Sequence, residues 1–243
     1  MPEVEPEFYV GYAAAAPPRL ARTLRWVAGG FLAGGLAMAW LLVRSQSPFD
    51  ESRFEFLQYK PYGGTLFEWP YPLLVSGDKW YLLAGEGKHG VAGLVSGKHG
   101  ANVTLAGALI ESGENRMLEL LPGSLKAGSG EARAMNEPVS LGRVTLAGEI
   151  VDTKCYFGVM NPGRGKVHRD CAARCLSGGI PPGFRVRDST GRYRVLLLVR
   201  PDGRAFGREL LPYAGEPVTI SGETMRTGPL WYLKADPAAI QRE

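Results

Sequence analysis

Cysteine and histidine are scarce in this chain, three of each in 243 residues. No G-x-S-x-G, phosphate-loop or H-E-x-x-H pattern occurs, so the common signatures of serine hydrolases, nucleotide-binding enzymes and zinc proteases are missing. There is no C-x-x-C redox pair, no C-x-x-C-H haem attachment and no ferredoxin run. Charge is modest: 28 lysines and arginines against 24 acids leave +4, with no aromatic-interleaved basic stripe, so nucleic acid is not an expected partner. Glu149 and Asp152 flank Cys155, but Asp152 has a counterpart in Glu68 of a related segment, which points to a structural acid. No catalytic constellation emerges, and the chain does not read as an enzyme on its own.

What is abundant is glycine, 33, and proline, 18, a composition of short strands and tight turns rather than long helices. One stretch departs from that pattern. Residues 26–43, WVAGGFLAGGLAMAWLLV, carry no charge and suffice to cross a hydrocarbon core of roughly 30 Å at about 1.5 Å per residue. Arg19, Arg22 and Arg25 precede it, while Arg44 alone follows before Asp50 and Glu51. The positive-inside rule then places a 1–25 tail in the cytoplasm and the body outside. The rival reading is a cleaved signal peptide, against which stand the length of the run and the lack of a small-x-small site. Gly29, Gly30, Gly34 and Gly35 leave a smooth helix face, Trp26 and Trp40 sit near the two ends, and the tail holds an apolar FYVGY patch at 8–12.

Beyond a linker at 44–60 the chain repeats itself. VTLAG at 103–107 returns as VTISG at 218–222, an offset of 115, and GTLFE at 64–68 matches GEIVD at 148–152, an offset of 84. The difference, 31 residues, is an expected insertion in the second copy. Each copy has about five strand-like segments bounded by Gly, Pro, Asn or Asp, among them KWYLLA at 79–84 and YRVLLLV at 193–199. Each also has a glycine inside a strand pattern (Gly107, Gly148, Gly222), as small closed barrels need at a sharp bend. The expected fold is mainly β: a single N-terminal transmembrane helix followed by two small OB-like β-barrels, 61–122 and 140–240, joined by a small polar stretch at 123–139. A single sandwich built from both halves is the alternative.

All three cysteines and one histidine fall in the 21 residues 155–175: Cys155, His168, Cys171 and Cys175. The region 155–187 is the expected insertion, and residues 167–176, with a Gly-Gly stop and Pro181-Pro182 beyond, predict a short helix. On it His168, Cys171 and Cys175 would stand at i, i+3 and i+7, on one face. With Cys155 at the end of the strand opening the second barrel, where the first copy carries Tyr71, they make the ligand set of a Cys3His site. Zinc, copper or an iron–sulfur cluster are the candidate cofactors, with Met160 a spare soft ligand. Two other readings stay open. An exported body favours oxidised cysteines, and Cys155 could pair with Cys171 or Cys175. A thiol–disulfide role would need a depressed thiol pKa, for which Arg169 and Arg174 are nearby sources of charge. The tetrapeptide GKHG occurs at 87–90 and again at 97–100, so Lys88, His89, Lys98 and His99 form a possible anion or metal turn, or two solvated β-turns.

The C-x-x-x-C pair with a nearby His resembles the copper loops of Sco-type chaperones and of the dinuclear copper centre of cytochrome oxidase, although here the His precedes the thiols. The whole segment 148–182, GEIVDTKCYFGVMNPGRGKVHRDCAARCLSGGIPP, resembles an uncharacterised family of membrane-anchored bacterial proteins. That resemblance implies a single-pass protein of the bacterial cytoplasmic (inner) membrane with a periplasmic or extracellular body. The function expected is a metal-binding or electron-handling accessory or assembly subunit of a membrane oxidoreductase, with other membrane or exported subunits as partners. The alternative is an interaction protein with tandem barrels and a disulfide-stapled insertion.

Overall fold

A computed structural model describes residues 16–46 and 51–243. The FYVGY patch at 8–12 and Asp50 lie outside the described residues. Two compact units, Met1–Pro48 and Phe49–Glu243, divide the chain.

The first unit contributes one helix, α1 (Pro18–Ser45), 28 residues long, with proline at its first position and Arg44 in its last turn. Proline fits there because the first N–H groups of a helix have no intrahelical acceptor in any case. At about 1.5 Å per residue the helix spans about 42 Å, long and apolar enough to cross a bilayer. It begins eight residues ahead of the uncharged run, because Leu, Ala and Arg at 19–25 are themselves good helix formers.

The second unit is two closed five-stranded barrels. The first uses β1 (Arg53–Phe54), β2 (Lys60–Phe67), β3 (Leu73–Ser76), β4 (Lys79–Ala84), α2 (Ala92–Val95), β5 (Asn102–Ser112), β6 (Asn115–Leu120) and β7 (Lys126–Ala127). Its ring runs β2–β3–β4–β6–β5 and back to β2, antiparallel except for β4 against β6; β1 and β7 are short additions to β5. The second uses β8 (Val139–Asp152), α3 (Arg169–Ser177), β9 (Pro182–Arg187), β10 (Tyr193–Val199), β11 (Pro217–Thr227), β12 (Leu230–Lys234) and β13 (Ile240–Arg242). Its ring, β8–β9–β10–β12–β11, has the same order and the same single parallel pair, β10 with β12. This is the order of OB-type barrels, and the single sandwich is not formed. β1 and β7 put paired strands inside the stretches expected as linkers.

Registers repeat along with the order. Gly64 faces Val103 and Gly148 faces Val218; Leu82 faces Met117 and Leu197 faces Tyr232. The added residues divide in two, which corrects the expectation of one insertion. Phe67 faces Leu73 across a six-residue step, whereas Val151 faces Gly183 across 32, a difference of 26 in the β8–β9 connection. Leu73 faces Leu82 across nine and Gly183 faces Leu197 across 14, so the other five lengthen the β9–β10 hairpin. Gly64 and Gly148 mark the same tight crossing. A Cβ at Gly64 would lie 2.2 Å from the Val75 carbonyl oxygen, and one at Gly148 2.4 Å from that of Arg185.

Three apolar cores result. Leu66, Leu74, Leu83 and Leu118 fill the first barrel, and Ile150, Phe184, Leu198 and Ile220 the second. The third lies between the barrels and joins Leu82 and Met117 of one to Val195, Leu197 and Tyr232 of the other, with Cys155, Phe157, Cys175 and Ile180 among them. Both β4 and β10 are therefore apolar on two faces, which is why YLLA and VLLLV run continuously instead of alternating. Tyr71 ties the halves directly: its hydroxyl donates to the Leu198 carbonyl and accepts the Phe206 N–H at 3.3 Å.

Candidate metal centre

β8 ends at Asp152, and the chain turns at once. Thr153 is anchored to the Pro181 carbonyl by both its N–H (3.2 Å) and its hydroxyl (2.8 Å), closing the long β8–β9 connection at its base. The Asp152 carboxylate, fully buried, accepts the Cys155 N–H at 2.8 Å and so starts a wide helical turn over Cys155–Val159. A 3-10 turn at Lys166–His168 then leads into α3. The helix starts one residue after His168, so His168 is its N-cap residue. Gly178 closes the other end, and the Ile180 N–H returns to the Cys175 carbonyl at 3.0 Å.

These turns bring the thiols together. The Cys155 sulfur lies 3.9 Å from the Cys171 sulfur and 3.9 Å from the Cys175 sulfur, and all three are free thiols. Cys155 and Cys175 are buried and Cys171 partly exposed. Donor atoms of Cys155, His168 and Cys171 lie within 4.8 Å of one another, and so do those of Asp152, Cys155 and Cys175. The two groups share Cys155, and either could hold a metal ion. The His168 ring is buried, with Nε2 3.0 Å from Asp152 Oδ2. Asp152, expected to be structural because Glu68 matches it, is thus the base of the site. The Glu68 carboxylate in the first barrel accepts the Lys98 N–H at 2.6 Å.

A cation comes from the other barrel. Lys88 Nζ is 2.7 Å from the Cys171 sulfur and 3.9 Å from that of Cys175. Its turn is held from beneath by the buried Lys154, whose ammonium donates to the carbonyls of Gly85 (2.6 Å) and Gly87 (2.7 Å) and pairs with the buried Glu119 at 2.5 Å. The same turn meets the end of α3. The Gly90 N–H donates to the Gly178 carbonyl at 2.9 Å, and a Cβ on Gly178 would fall 1.9 Å from the Lys88 oxygen. The hydrogen bond between Cys155 and Cys175 divides the two titrations: it pushes the Cys155 thiol up, with burial adding to the rise, and pulls Cys175 down, helped by the Lys88 charge. Contact with Cys171 in turn raises Lys88.

The remaining candidates are dispersed. The two GKHG turns differ: Lys88 meets the thiols, His89 is exposed, and His99 accepts the Glu68 N–H at 3.1 Å and packs edge-on to Phe67. Neither His89 nor His99 joins a metal-competent group among the described residues. Met160, after the turn, is half-exposed. Arg169 pairs with Glu216 at 2.7 Å and Arg174 is exposed, so the cation beside the thiols is Lys88 and neither arginine. Lys154 and Glu119 escaped sequence reasoning, since nothing in their neighbourhoods signals a partner 35 residues away. Comparison with protein-family models, curated proteins and solved structures finds no match to this chain.

Proposed function

We propose that the protein is a membrane-anchored metal-handling subunit whose body carries one soft metal ion on Cys155, Cys171, Cys175 and His168. The observation that carries this reading is the pair of 3.9 Å separations from Cys155 to both helix sulfurs. Four ligands at Zn–S bonds of about 2.3 Å are about 3.8 Å apart along a tetrahedral edge. A cluster would interpose irons and sulfides between the thiolates, so a single ion is favoured, zinc first and copper(I) second. The Asp152–His168 couple supports the same reading: metal-binding imidazoles commonly have their second nitrogen held by a carboxylate, here leaving Nδ1 to coordinate. Three thiolates on a divalent ion leave one negative charge, which the Lys88 ammonium offsets.

Arg19, Arg22 and Arg25 before the span favour a cytoplasmic N-terminus and an exported body. The resemblance of segment 148–182 to membrane-anchored bacterial proteins favours the bacterial inner membrane. A buried soft-metal centre on a membrane-anchored body suits an accessory or assembly subunit of a membrane oxidoreductase. The Lys88 contact also favours a second reading, thiol–disulfide exchange through Cys175. Metal analysis of full-length protein extracted in detergent without chelator separates the two. One equivalent of metal, lost in C155A, C171A and C175A and weakened in H168A, is the expected result. Metal-free protein in which Cys155 is oxidised to one of the helix cysteines would overturn the metal reading and favour exchange.

A further inference from the structure

The barrels also enclose a cleft of about 500 Å³, within the range of about 300–1,000 Å³ usual for small-molecule sites, and at the kind of interface where such sites gather. The lengthened β9–β10 hairpin and the β11–β12 turn form one wall, the β5–β6 turn faces them, and Tyr156 and Phe157, which follow Cys155, also line it. Leu82, Val195, Leu197 and Leu230 give it apolar surface.

The wall from the second barrel is built of arginine on aromatic rings. Arg185 is 7 % exposed, and its guanidinium sits 3.2 Å from the Tyr193 centroid and 5.7 Å from that of Tyr156, both rings of the cleft. Its Nε donates to the Tyr156 hydroxyl at 3.0 Å, but its buried Nη2 has no hydrogen-bond partner, and no carboxylate pairs with it among the described residues. A buried cation left without an anion is costly, and so is an unsatisfied N–H. Arg187 stacks on Tyr193, and Arg194 and Arg226 on Trp231. Arg192 and Arg194, both lining the cleft, share Asp188 at 3.9 and 3.6 Å. That carboxylate already accepts the N–H groups of Thr190 and Arg192 and the Thr190 hydroxyl. Of these arginines, Arg192 and Arg194 line the cleft, and among the described residues they have the one carboxylate, Asp188, between them. The hydrogen bond from Arg187 holds the Tyr193 phenol below its ordinary value, as a cation-rich surface would. The facing wall carries Glu51, Glu114 and Arg116, the last 3.9 Å from Glu111.

We propose that this cleft binds a small organic oxyanion, an apolar or aromatic body bearing a phosphate or a carboxylate, with Arg192 and Arg194 as its ligands and Arg185 holding the Tyr156 and Tyr193 rings that line it. A guanidinium held flat on a ring presents its fork to a planar or tetrahedral oxyanion with little further ordering. The apolar lining takes the body. The site does not depend on the metal.

The test is calorimetric titration of the full-length protein in detergent with phenyl phosphate, benzoate and, as the uncharged control, benzyl alcohol. One anion or both should bind saturably at a single site, and the tighter of the two identifies the head group. Binding should weaken with added salt and fall on the order of tenfold or more for each guanidinium removed in R192A/R194A. R185K, which keeps the charge and loses the fork, should weaken it as well, with an unchanged circular dichroism spectrum in each variant. Absence of saturable binding by either anion at millimolar concentration would overturn the proposal. So would equal binding of benzyl alcohol, or titrations of R192A/R194A and R185K that match the parent.

Discussion

Replacing Lys154 by methionine asks whether the first barrel holds the thiol site in place. Methionine keeps the length and apolar stem and removes only the ammonium. Three acceptors then lose their donor: Glu119 at 2.5 Å and the carbonyls of Gly85 and Gly87 at 2.6 and 2.7 Å. Breaking one side of a buried pair costs about 3–5 kcal/mol, because the surviving charge has neither water nor counter-ion. Tyr59 still reaches Glu119 at 3.4 Å, so the lower end applies, about 3 kcal/mol. For a chain of this size that lowers the melting temperature by about 6–12 °C. Because a buried pair replaced by apolar groups is often near neutral, K154M/E119L should recover at least half of the loss, the rest being the two orphaned carbonyls. The freed Gly85–Gly90 turn should also withdraw Lys88, so that alkylation of Cys171, followed by peptide mass, becomes faster. A melting temperature within about 2 °C of the parent, or a double variant no better than the single, would refute the account.

Gly148→Ala should cost about 1–3 kcal/mol in urea unfolding, and Gly64→Ala about as much, since each new Cβ meets a carbonyl across the same crossing. A parent-like midpoint for either would show that the crossing yields. Gly178→Ala drives a Cβ into the Lys88 oxygen and should expose Cys171 to alkylation as K154M does, with α1 and the first barrel's interior unaffected by limited proteolysis. If the metal reading holds, chelator should lower the melting temperature of the parent and leave C175A unmoved, because metal bound only to the native state stabilises it by mass action. The Glu55 carboxylate is held below its ordinary value, chiefly by its hydrogen bond from Lys60. Its stabilisation is complete above the ordinary glutamate range and disappears as pH falls through the lowered value, so E55Q should flatten the acid limb of a melting-temperature profile taken downward from pH 7.

How far the sequence led can be seen at particular residues. The barrels were legible because a closed small sheet needs a glycine where a strand bends over its neighbour, and Gly64 and Gly148 recur at the same register, each opposite the valine of a repeated Val-Thr pair. The thiol cluster was legible because Cys155, Cys171 and Cys175 crowd into 21 residues, a spacing a turn and one helix can close. His168 was placed one step too far into the helix, because helix-forming residues on both sides hid the 3-10 turn at Lys166–His168. Lys88 could not be placed, because an 83-residue separation between an ammonium and a thiol leaves no periodic trace. A signal did exist for the surface on which it arrives: β4 and β10 are apolar at consecutive positions, which a barrel strand with one wet face would not be. That contact changes the meaning of the duplication. At equivalent positions the first barrel carries Tyr71, which reaches the backbone of the second at Leu198, and the second carries Cys155, preceded by the lysine that reaches the backbone of the first. The two loops are crossed anchors, and the cation they deliver to the thiols belongs to the half that has no cysteine. A second barrel expressed alone would keep every sulfur and lose the charge that faces them, so the first copy is part of the site and not a spare domain beside it.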